Sequence, residues 1–149
     1  MEGIFHSNHI THLFDSVIPS DLEKQFFNLI SEELKSTKIT GLEIYLKEIP
    51  VATGFLSNAK LKGLAIKNNG ISKKLEIVFR VYIDGDAALF TRYDVMEKGF
   101  FDNLNNLNSE QIFYKMQTGF GLIGIEKFRI LNDALAIIFE KVVKQLTSK

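Results

Sequence analysis

The stretch from Lys73 to Val95 limits most strongly what this chain can fold into. KKLEIVFRVYI and DAALFTRYDV are rich in β-branched and aromatic residues, and they meet at Asp84-Gly85. An Asp-Gly between two such runs is a strong local signal for a β-hairpin, because glycine accepts the positive φ that a tight turn demands. Residues opposed across an antiparallel pair share one side of the sheet, so the hairpin also has a register to be chosen. A plain two-residue loop at Asp84-Gly85 sets Phe79 opposite Phe90, but Ile77 opposite Arg92 and Leu75 opposite Asp94, which mixes core with charge. A three-residue loop, Ile83-Asp84-Gly85 with Gly85 left-handed as a bulge, sets Val81 on Ala87, Phe79 on Leu89, Ile77 on Thr91 and Leu75 on Tyr93. The bulged turn is the expectation on these grounds. It gives Leu75, Ile77, Phe79, Val81 and Ile83 to the core and Val78, Arg80, Tyr82, Phe90 and Arg92 to the second face.

The remaining elements follow from periodicity. Ile10, Leu13, Phe14, Val17 and Ile18 stand at helical spacing and predict a short N-terminal helix. After Pro19, Ser20-Asp21-Leu22-Glu23 has the form of a capping box, and the stripe Leu22, Phe26, Leu29, Ile30, Leu34 predicts a second helix to about Lys35. GLEIYLKEI alternates Leu42, Ile44 and Leu46 with Glu43, Tyr45 and Lys47, the pattern of a half-buried strand. Val51 to Leu56 reads equally as an edge strand or a loop, KLKGLAIK as a strand, and Asn68-Asn69-Gly70 as a turn into the hairpin. A loop or broken helix is expected from Met96 to Asn108 and, in preference to a strand, a helix over 109–118. A long helix follows from about Gly124 to Leu146. The expected fold is a single α+β domain over 1–149: an antiparallel meander of four or five strands packed with two N-terminal helices and a long C-terminal helix.

At 149 residues such a domain buries roughly two thirds of its unfolded surface without staples. The absence of cysteine removes disulfides, thiolate nucleophiles and cysteine-ligated metal sites. Lysine plus arginine equals aspartate plus glutamate at 18 each, which disfavours nucleic-acid binding through global charge. The first residues lack a basic leader followed by an apolar core, and ALAIIF at 134–139 falls far short of the ~20 apolar residues that span a bilayer. A cytoplasmic location without a membrane span is the expectation.

Three motifs could carry chemistry, and each has a simpler reading. Gly119-Phe120-Gly121-Leu122-Ile123-Gly124 matches the dinucleotide-binding GxGxxG, but the residues after it read as helix and leave no strand for the acidic residue that fingerprint requires. Close packing at the entry to the last helix explains the glycines. His6, His9 and His12, with Asp15, have helical spacing for a weak metal site, but no further histidine or cysteine exists to complete it, so a solvated helix face is expected. Asp84-Gly85-Asp86 has an Asp-x-Asp spacing that the turn itself already demands. No catalytic residue, cofactor or metal is assigned.

What remains is a surface. Arg80, Tyr82, Phe90 and Arg92, with Tyr45 on the polar side of an earlier strand, are residue types enriched at protein interfaces. Either a helix layer covers that second face, or it is open to a partner. The preferred functional expectation is a small non-enzymatic interaction protein of the adaptor, chaperone, inhibitor or immunity-protein kind, binding another protein through the sheet face or a helix pair, with self-association left open. The alternative is a carrier of an apolar small molecule, with some of the 13 Phe residues lining a cup between the sheet and the last helix. In element order alone, that arrangement resembles the helix-grip lipid and hormone carriers.

Overall fold

The computed structural model describes residues 2–50, 60–97 and 120–148. Five antiparallel strands form one sheet: β1 (Glu2–Leu13), β2 (Leu42–Pro50), β3 (Lys60–Asn68), β4 (Ser72–Asp84) and β5 (Ala87–Glu97). Their order across the sheet is β1-β5-β4-β3-β2. The last four make the expected meander, and β1 adds beside β5. Among the described residues two helices, α1 (Leu22–Ser36) and α2 (Gly121–Thr147), pack on one face, so the fold is α+β.

The first predicted helix does not form. Residues up to Leu13 are strand, and those from Phe14 to Pro19 are irregular, so one helix stands where two were expected before β2. Ile10 and Phe14 still reach the core, but at the two-residue period of a strand, while Leu13 and Val17, which a helix would have buried, are 71% and 92% exposed. A register shift between His6 and Asn8 breaks the alternation along β1 and hides its strand signature. The tertiary pairing of β1 along β5 overrides a local 3.6-residue pattern.

α1 keeps its predicted stripe: Leu22, Phe26, Ile30 and Leu34 are buried, with Phe27 added and Leu29 partly covered. Its capping box is absent. Asp21 takes the cap position and accepts a hydrogen bond from Gln25 Nε2 at 2.7 Å instead. At the far end of α1 the chain turns through Gly41, whose φ of +80° and approach to Asn68 exclude a side chain: an added Cβ would lie 2.8 Å from Asn68 Oδ1. Buried Asn68 binds both sides of this junction, donating from Nδ2 to the Thr40 carbonyl at 3.0 Å and accepting from the Gly70 amide at 2.9 Å.

The hairpin forms with neither register considered above. Asp84 pairs with Ala87, so the loop is Gly85-Asp86, one residue later than expected. Gly85 has φ +61° and Asp86 does not, the sign pattern of a type II′ turn with glycine first. Val81 then faces Phe90, Leu75 faces Met96, Phe79 faces Arg92 and Ile77 faces Asp94. Phe90 and Arg92 therefore lie on the helix-covered side, not on the second face, and both are buried. The expectation failed because it treated each charge near the core as a penalty, whereas Arg92 and Asp94, two residues apart on one face, neutralise each other.

Phe26 of α1 lies against Phe90 of β5 (centroids 5.1 Å apart), Phe79 of β4 (6.2 Å) and Phe139 of α2 (6.1 Å), and Phe79 stacks on Phe139 at 5.7 Å. One cluster thus joins both helices to the two central hairpin strands. Gly124 sits where α2 passes the turn before β4: a Cβ there would stand 3.4 Å from the Ile71 carbonyl oxygen and 2.9 Å from Phe120 Cβ, which is the close packing expected of that glycine. Met96 and Glu97, expected to begin a loop, instead end β5, where Met96 pairs with Leu75; the rest of that loop to 108, the ambiguous stretches 51–56 and 109–118, and Gly119 lie outside the described residues.

The placement of Phe90 has a direct check. Phe90→Ala should cost about 3–5 kcal/mol, the usual loss for a fully buried phenylalanine, in urea unfolding followed by circular dichroism. A change within a few tenths of a kcal/mol would return Phe90 to the surface.

Candidate functional site

Polar chemistry concentrates at two places on opposite sides of the sheet. The first is buried. Arg92 Nε donates to Asp94 Oδ1 at 3.1 Å, Nη2 approaches Oδ2 at 3.4 Å, and Nη1 donates to Asn132 Oδ1 of α2 at 2.8 Å. Both charged residues are 4% exposed. Burial pushes the Asp94 carboxyl up more than the charge and hydrogen bond of Arg92 pull it down, so it titrates above its ordinary value of 3.8. Arg92 and Asp94 are closed to solvent, and Asn132 is half-buried at the edge of the trio. The role of the trio is to tie α2 to the sheet, with Asn132 as the link.

The second place is the face that both helices leave. Alternation brings Tyr45 and Lys47 of β2, Ala65 of β3, Glu76, Val78, Arg80 and Tyr82 of β4, Leu89, Thr91, Tyr93 and Val95 of β5, and His9 and Thr11 of β1 to this side. Ala65, Val78 and Val95 form a small buried cluster edged by Tyr45. Beside it the Glu76 carboxylate accepts hydrogen bonds from the Tyr45 hydroxyl and, at 2.5 Å, from Lys47 Nζ. Burial alone would raise this carboxyl; the bonds from Lys47 and Tyr45 and the charges of Lys47 and Lys67 outweigh it and hold Glu76 below its ordinary 4.5.

Toward the hairpin tip the face is more open. Tyr82 is 54% exposed. Arg80 is half-buried, and its Nε is buried without a hydrogen-bond partner. Across β5 and β1, His9, Thr11, Leu89, Thr91 and Tyr93 line an open groove of about 320 Å³.

Of the five residues singled out from the sequence, Tyr45, Arg80 and Tyr82 share this face, while Phe90 and Arg92 belong to the core. Thr91 and Tyr93 were missed because the wrong register put them on the other side; His9 and Thr11 were missed because β1 was read as a helix. Among the described residues no cluster of His, Asp and Glu could hold a metal ion. β1 sends His9 and His12 to opposite sides, and the His12 ring stands edge-on to Phe14 at 4.7 Å. Asp84 and Asp86 are exposed at the turn. Among the described residues no helix is long and apolar enough to cross a membrane. No protein-family model matches the chain, and no curated protein matches it.

Two predictions follow from these networks. Arg92→Met should cost about 3–5 kcal/mol, because it leaves a carboxylate buried without its cation, whereas Arg92→Met with Asp94→Leu should be markedly less destabilised. A carboxyl whose folded pKa is raised contributes stability below its unfolded value and loses it as pH rises through the folded one, so Arg92→Met should also weaken more steeply than wild type as pH rises from the ordinary aspartate value of 3.8. Double-mutant unfolding across that range measures both. Glu76 has the opposite sign: its depressed pKa contributes stability above about pH 4.5 that is lost on acidification through the folded value. Glu76→Gln should therefore flatten the acid limb of the stability profile, and an unchanged limb would show that the Tyr45 and Lys47 bonds contribute nothing.

Proposed function

We propose that this protein is a non-enzymatic interaction module that binds another protein through the second face of its sheet, at the end nearest the hairpin turn. The observation that carries the reading is the pairing of Tyr82, more than half exposed, with Arg80, whose Nε is buried and unpartnered two residues away on the same side. Aromatic and arginine side chains are the usual anchors of protein interfaces. The two helices of the described residues lie on the opposite side of the sheet. The carrier alternative has less support, since the rings of Phe26, Phe79, Phe90 and Phe139 touch one another between the sheet and α2.

A second surface has its own observation. Ile123, Ile130 and Ile137 of α2 repeat every seven residues and are 65%, 60% and 69% exposed, a ridge suited to a partner helix or a second copy of the chain. One pull-down from the native host separates the two. Arg80→Ala with Tyr82→Ala should lose a partner that Ile130→Asp retains; the reverse pattern would move the interface to α2, and recovery unchanged in both would end the interaction reading.

A further inference from the structure

Among the described residues the sheet has two edges, β2 at one end and β1 at the other. An edge strand shows a row of backbone N–H and C=O groups with which another strand can pair, and charge or proline along it discourages that pairing. β2 carries both: Glu43, Lys47 and Glu48 lie along it and Pro50 closes it. β1 carries neither, for from Gly3 to Leu13 it has no Asp, Glu, Lys, Arg or Pro. The register shift between His6 and Asn8 leaves Asn8 to Leu13 as its regular part.

The ladder with β5 fixes which backbone groups of that part face outward. It continues to Phe14, whose amide donates to the Asp86 carbonyl at 2.9 Å. Residues that bond a given neighbour alternate along an antiparallel strand with residues that face away from it. Ile10 and His12 share parity with Phe14 and bond β5, whereas Thr11 and Leu13 turn their N–H and C=O groups to the open edge. Among the described residues nothing bonds Thr11 or Leu13 on that side. Both residues are exposed, Leu13 at 71%. This open set is its own complement. In an antiparallel pairing of two copies about a two-fold axis at His12, Thr11 of each copy stands opposite Leu13 of the other, and every outward donor of these two residues meets an outward acceptor. The same register sets Ile10 opposite Phe14, joining two residues that already pack on the core from the helix side. Charge does not oppose it: residues 10–14 contain no Asp, Glu, Lys or Arg, and the formal net charge of the chain is zero.

We infer that a second copy of this chain pairs along the Thr11–Leu13 edge of β1, joining two five-stranded sheets into one continuous sheet. The contact is isologous, so it closes as a dimer, and the charged residues of β2 keep the far edges from extending it. It is independent of the sheet-face reading, which concerns a side of the sheet and not its edge.

The test combines sedimentation with amide hydrogen exchange on the full chain over a range of concentrations. Wild type should shift from monomer to dimer as concentration rises, and the Thr11 and Leu13 amides should become protected over the same range, while those of Ile10 and His12, already bonded to β5, are protected throughout. In a mixture of labelled and unlabelled chains, His12 Hα of one copy should contact His12 Hα of the other, because residues opposed at a non-hydrogen-bonded position have Cα atoms about 4.5 Å apart. Thr11→Pro removes an outward donor and no bond to β5, so it should keep the wild-type circular dichroism spectrum and abolish the dimer. Ile130→Asp on α2 should leave the dimer intact. A chain that is monomeric at every concentration, or Thr11 and Leu13 amides whose exchange ignores concentration, would overturn the inference and leave this edge to a strand of another protein. A dimer that survives Thr11→Pro, or one that Ile130→Asp abolishes, would overturn it as well, the latter by moving the contact to α2. If Thr11→Pro fails to fold, the amide protection and the His12 contact, both read on the wild-type chain, decide.

Discussion

The structure depends on a turn of two residues. With Gly85 and Asp86 as the loop, every side chain of β4 and β5 is assigned to a side, and a slip of one residue in either strand would exchange the core for the surface. In the register adopted, Val81 and Phe90 face the helices together, and Phe26, Phe79, Phe90 and Phe139 close into one cluster. The same register sends two charges into the interior, and that is tolerated because Arg92 and Asp94 meet there with Asn132 as third partner.

That buried pair is a constraint more than a source of stability. Taking two ions out of water costs several kcal/mol each, and their attraction returns about as much only when the geometry is good and the remaining donors are met. Here the guanidinium makes bonds to both the strand and α2, so the orientation that satisfies it also fixes how the helix sits on the sheet. An apolar replacement of the pair could be as stable, but it would give up the polar link that sets the position of α2 along the strands.

The two sides of the sheet divide the work. One is filled by α1 and α2 and holds the fold together. The other has a small buried cluster of Ala65, Val78 and Val95, a carboxylate secured by Tyr45 and Lys47, and at its open end an exposed tyrosine, an under-bonded arginine and a groove. A carboxylate held by two donors and, further along the same strand, an arginine whose Nε has no partner are the contrast on which the functional reading rests. Glu76 is finished as a structural element; Arg80 is not.

By itself the sequence determined the α+β class, the hairpin, the stripe of α1, the long last helix and the membership of Tyr45, Arg80 and Tyr82 in one face, because these follow from local periodicity and from the alternation within single strands. Tertiary structure decided the rest. Ile10 to Ile18 satisfied a helical pattern, yet pairing with β5 made the segment's first part a strand, an outcome set by residues some eighty positions away. Phe90 and Arg92 changed sides because register is a property of two strands and a turn taken together, and because a charge can enter the core when its counter-ion enters with it. His9, Thr11, Thr91 and Tyr93 became a groove only when β1 closed against β5, since no local pattern records which distant strand will stand beside another.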